Sequence, residues 1–126
     1  DAVTNTDTPV VTEAVRINAV HFFKDGTHTI VGELSMPTPC DLIDADAMIA
    51  ESFPEQVTVS LSTINSNPDE MCAQVVTNQR FKVSFTASEA ASIAATLDGK
   101  RAILNLVKGD PSQNPDEIDL ELFFKG

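Results

Sequence analysis

The chain contains no tryptophan and no tyrosine, only two cysteines, and eight basic residues against nineteen acidic ones. Each shortage excludes something. Sugar-binding platforms want an aromatic ring whose face stacks on the sugar while a polar edge bonds a hydroxyl, and Trp and Tyr supply that edge. A net charge of −11 repels phosphate backbones and anionic lipid headgroups. Nucleic acid is therefore not an expected partner, and the charge reads first as solubility, then as an attraction for cationic partners. No apolar run approaches the roughly 20 residues that cross a bilayer as a helix, so no membrane insertion is expected. The motifs of nucleophilic and phosphate chemistry are missing too: there is no Gly-x-Ser-x-Gly elbow, no glycine-rich phosphate loop and no His-Glu-x-x-His. The expectation is a protein that is not an enzyme.

What is present suits one small domain. The 126 residues are 42% apolar, enough for a single core. Residues 1–13, "DAVTNTDTPVVTE", are rich in Thr and Asp and read as a flexible tether, the start that a trimmed leader would leave. Residues 14–126 read as the folded domain. Cys40 and Cys72 belong to no Cys-x-x-Cys pair, and both histidines lie far upstream, so zinc spacing is absent. A disulfide between them is expected, stabilising the fold by roughly 3 to 4 kcal/mol through loop closure. The alternative is two buried thiols in a reducing compartment.

From Ala14 the sequence alternates with the two-residue period of strands. "AVRINAVHFF" and "HTIVGELS" flank an Asp25-Gly26 turn and form a hairpin. "CDLIDADAMIA" alternates Ile43, Ala45, Ala47 and Ile49 against Asp44, Asp46 and Met48. "VTVSLSTI" places Val57, Val59, Leu61 and Thr63 inward, and "RFKVSFT" does the same with Phe81, Val83 and Phe85. "MCAQVVT", "RAILNLVK" and "IDLELFF" are further expected strands, the last with Ile118, Leu120, Leu122 and Phe124 inward. "SEAASIAATLDGK" predicts a helix, capped by Ser88, carrying Ile93 and Leu97 on one face and closed by Gly99. Together these elements predict an all-β, antiparallel, immunoglobulin-like two-sheet sandwich of seven or eight strands with one short connecting helix. A small β-barrel is the alternative.

The run "GELSMPTPC", followed by "CAQVV", "FKVSF" and "LDGK", resembles small secreted or lipid-anchored bacterial β-sandwich proteins with one disulfide. The resemblance implies a Cys40–Cys72 bridge and a secreted, periplasmic or cell-surface location, either free or anchored through a removed N-terminal segment. It implies no activity.

Three groups of residues could carry chemistry. His21 and His28 flank the first turn; a two-residue turn would make them diagonal neighbours on one face, able to hold copper or zinc. A longer, bulged turn would put them on opposite faces. In the stretch Asp41, Asp44, Asp46 and Glu51, Asp44 and Asp46 would share a face and could do general acid and base work or bind a hard cation; the alternative is a solvated strand face that also discourages edge association. "DPSQNPDEIDLE" has the oxygen spacing of a calcium loop but lacks its glycine and flanking helices, leaving Asp110, Asn114 and Asp116 as ligands for calcium. No resident cofactor is expected, with calcium at these three residues as the alternative. The expected function is a non-catalytic cell-envelope or secreted domain that presents loops to a protein partner. The alternatives are an inhibitor or chaperone of a secreted enzyme, acting through "NSNPDE" or "GDPSQNPD", and a weak metal-binding domain.

Overall fold

A computed structural model of the chain describes residues 15–65, 71–110 and 112–120. The expected tether 1–13, most of "NSNPDE", and the inward assignments of Leu122 and Phe124 lie outside the described residues. Among the described residues seven strands run in order: β1 (Val15–Lys24), β2 (Thr27–Met36), β3 (Asp41–Ala50), β4 (Gln56–Asn65), β5 (Thr77–Thr86), β6 (Ser92–Leu97) and β7 (Lys100–Lys108). The fold is all-β, as the alternation requires.

The strands form one nearly closed mixed sheet, ordered β3-β4-β6-β7-β1-β2-β5, in place of the expected antiparallel, immunoglobulin-like two-sheet sandwich. Two pairings, β1 with β7 and β4 with β6, are parallel. The expected helix is absent as well. Residues 92–97 are strand β6, with Ile93, Ala95 and Leu97 turned to the core and Asp98-Gly99 forming the turn into β7. An alanine-rich segment has helical propensity, yet the same side chains alternate, and pairing on both edges outweighs that propensity. Both Asp-Gly pairs, 25–26 and 98–99, have positive φ at both positions, the geometry a two-residue hairpin needs to match strand twist.

Two further expected strands are corrected. Residues 71–76 are irregular, and Ile118 and Asp119 lie in no strand. Ile118 and Leu120 are nonetheless buried, covering Val20, Phe22 and Val31 on the outer face of β1 and β2. Arg80 holds that segment by donating to the carbonyls of Pro115 and Ile118, and Lys82 pairs with Asp116. Thr63, expected inward, is exposed; its N–H and hydroxyl donate to Asp98 at the neighbouring turn.

The main core fills the inside of the curved sheet and includes Ile17, Ile30, Leu34, Val57, Val59, Leu61, Phe81, Val83 and Phe85. Gly32 lies on this inner surface opposite both Ala19 and Phe81. A Cβ there would stand 2.6 Å from Phe81 Cζ, so the Phe81 ring occupies the space a side chain would need.

Among the described residues the sheet does not close by hydrogen bonds. β3 and β5 are its two ends and run in the same direction; residues of the two come within 8 Å Cα to Cα, but no ladder joins them among the described residues. Side chains and a covalent bond hold this seam. At its lower end Cys40 and Cys72 form a disulfide with Cα atoms 6.2 Å apart, and Gln79 donates to the Pro39 carbonyl. Thr38 fixes Cys40 by accepting its N–H while donating to Asp41. At the upper end Glu55, entering β4, accepts hydrogen bonds from the Ser88 N–H and hydroxyl just beyond β5.

Candidate functional site

Strand directions place four connections at the upper end of the barrel: the 25–26 turn, the 51–55 loop, the 87–91 loop and the segment that leaves β7 at Gly109. The two histidines sit just beneath them. The two-residue turn sets Phe23 opposite His28 and His21 opposite Ile30, which makes the imidazoles diagonal neighbours on the inner face, the first of the two arrangements that the sequence allows. His21 Nε2 lies 2.8 Å from His28 Nδ1, with ring centroids 5.0 Å apart and planes almost parallel. His28 is 1% exposed and stacks on Phe85.

The hydrogen bonds assign the tautomers. His28 Nε2 stands 2.8 Å from the Ser88 carbonyl, which can only accept, so Nε2 carries the proton and donates. In the neutral imidazole, Nδ1 of His28 is then the acceptor for the N–H on Nε2 of His21. A line of contacts thus runs from half-buried His21 through His28 to Ser88 and on to Glu55. Burial, and then the neighbouring imidazole of His28, lower the His21 pKa below its ordinary value. The Glu55 carboxyl is also lowered, first by the Ser88 hydroxyl.

This arrangement spends its polar atoms internally. The facing nitrogens of the two histidines bond each other, His28 Nε2 bonds a carbonyl, and both Glu55 oxygens bond Ser88. The network ties the 87–91 loop to the hairpin β1–β2 and to the 51–55 loop. Chemically it can hold loops in place, and His21 Nδ1 is the imidazole nitrogen with no place in this line.

The second group of candidate ligands is dispersed into local turns. Asp110 Oδ1 accepts from the N–H and hydroxyl of Ser112, which lowers the Asp110 pKa. Asn114 Oδ1 accepts from the Asp116 N–H, and Asp116 Oδ1 is 2.7 Å from Lys82 Nζ. Asp110, Asn114 and Asp116 therefore close two successive turns and anchor the segment to β5. Among the described residues no group of three or more His, Cys, Asp or Glu side chains converges as a metal cage would. Asp44 and Asp46 line the exposed side of β3 as expected.

Two participants escape the sequence reading. Ser88 is placed there as a helix cap, and Glu55 has no assigned role; their only sequence signal is two polar residues at the edges of strands that pair elsewhere. Phe53 escapes it too. It stands 85% exposed in the 51–55 loop, whereas Phe22, Phe81 and Phe85 are buried. No family model, curated protein or solved structure matches this chain.

Proposed function

We propose that this domain is a non-catalytic binding module of an oxidising compartment, secreted or held in the cell envelope, which offers the upper loops of the barrel to a protein partner. The observation that carries the reading is the Glu55–Ser88–His28–His21 network, which fixes these loops against one another. A loop already held in one conformation loses little entropy on binding, and preorganisation of that kind is what binding surfaces exploit. The Cys40–Cys72 bridge is compatible with an extracellular or periplasmic location. The immunoglobulin-like comparison remains one of role, a rigid β scaffold with loops at its ends.

The test is comparative. Envelope or culture fractions of the source cells are passed over the immobilised domain and over two variants of it. One replaces residues 51–53 and 89–90 by Gly and Ser; the other replaces exposed Met71, Val75 and Val76 at the opposite end by Ser. A protein retained by the wild type and by the lower-end variant, and lost from the upper-loop variant, supports the proposal. Equal retention by all three, or none by any, rejects it.

A further inference from the structure

The upper end is not uniform, and its asymmetry identifies the partner's chemistry. The apolar side chains exposed there are concentrated on one flank. Met48 is 63% exposed on the outer face of β3 near its end, and Phe53 follows in the loop. Large aromatic side chains carry a disproportionate share of interface energy when they insert into a partner's pocket. Phe53 also sits on a fixed base: the Ser52 N–H donates to the Ala50 carbonyl, the Ser52 hydroxyl to the Pro54 carbonyl, and the Ser92 N–H to the Glu55 carbonyl.

Acidic residues surround this flank. Glu51 is exposed beside Phe53, and Asp46 is exposed two residues before Met48. Glu89 is exposed on the 87–91 loop, which the Glu55–Ser88 bonds bring against the 51–55 loop. The lysines of the same end, Lys24 and Lys108, terminate β1 and β7. In the order β3-β4-β6-β7-β1-β2-β5 those strands lie across the barrel from the β3–β4 loop.

We propose that Phe53, with Met48, is the anchor of a docking surface that inserts into an apolar pocket rimmed by Lys or Arg on a different protein. This rests on the binding reading above and names the side and partner chemistry for it. A second copy of this chain is a poor occupant, because a symmetric contact would set Glu51 and Glu89 of one copy against those of the other at a net charge of −11 each. An anionic membrane is repelled on the same ground.

The test places a photoreactive phenylalanine analogue, p-benzoylphenylalanine, at position 53 of the full chain expressed in its source cells. The same analogue at positions 90 and 113 probes the other upper loops. The expected result is an adduct from position 53 to another protein, with Lys or Arg within a few residues of the attached apolar side chain. Glu51→Lys combined with Glu89→Lys should lower that adduct's yield roughly tenfold at an unchanged melting temperature. An adduct to lipid, to a second copy or to another segment of the same chain overturns the proposal. So does a partner peptide without a cation, or a yield that charge reversal leaves intact. Adducts from 90 or 113 with none from 53 overturn this inference and leave the binding reading standing. No adduct from any of the three overturns both.

Discussion

Replacing both cysteines, Cys40→Ala with Cys72→Ala, removes the covalent closure of a seam at which no ladder is formed among the described residues. The bridge joins residues 32 apart. In the chain-entropy model a loop of that size costs the unfolded ensemble about 12 cal/mol/K, or about 3.7 kcal/mol at 25 °C. For a domain of this size that corresponds to a fall in melting temperature of about 12 to 18 °C. The two methods to use are urea unfolding, which gives the free-energy change, and calorimetry, which gives the melting temperature. A loss below about 1 kcal/mol would show that the unfolded chain is already compact around these residues, and the loop-closure reasoning would fail. Position in the sheet adds a second requirement. Native-state hydrogen exchange in the variant should accelerate first in β3 and the start of β5, the two ends of the sheet, and least in β1, which is paired on both sides. Uniform acceleration over all seven strands would refute the view that the bridge acts as a seam closure.

Three further outcomes are expected. The lowered His21 pKa means that the unfolded chain binds a proton more readily than the native one. Stability is therefore full above the unfolded value of about 6.5 and declines as pH falls below it toward the folded value. Urea midpoints between pH 7.5 and 5.5 should fall on acidification, and His21→Gln should flatten that slope; an unchanged slope sinks the assignment. Gly32→Ala should destabilise by about 1 to 3 kcal/mol through the clash with Phe81. Phe81→Leu in the same chain should recover part of the loss, a coupling that a double-mutant cycle measures. His28→Leu leaves the Ser88 carbonyl and His21 Nε2 without their partner and should cost about 1 to 3 kcal/mol. A neutral result would show that water replaces the imidazole without cost.

The legible parts of this fold are those encoded locally. A two-residue turn at Asp25-Gly26 fixes register by itself, so the pairing of His21 with Ile30 and the diagonal contact between the histidines follow from a few residues of sequence. The alternation of β4 and β5 identifies Val57, Val59, Leu61, Phe81, Val83 and Phe85 as core for the same reason. Residues 92–97 mislead because Ile93 and Leu97 are four apart, a helical spacing, while Ile93, Ala95 and Leu97 are also two apart. The deciding signal was Asp98-Gly99, the same dipeptide that turns the first hairpin, read there as a helix stop. The parallel ladders and the single sheet are not legible, since nothing in "VRINAV" names "AILNLV" as its neighbour. The site was half visible for that reason: His21 and His28 are close in sequence, whereas Ser88 lies 60 residues from His28 and 33 from Glu55.

The β1–β7 ladder also governs when the domain can exist. Val15 pairs with Ala102 and His21 with Lys108, so the strand formed first in the chain waits for the last to complete its hydrogen bonds. Contacts of such separation slow folding, because the loop between them must be ordered before the contact stabilises anything. A nascent chain that has not yet delivered residues 100–108 has the β1–β2–β5 and the β3–β4–β6 pairings available but no ladder to join the two groups. The barrel is therefore completed only when its last strand arrives, because residues 100–108 carry the ladders to both β6 and β1.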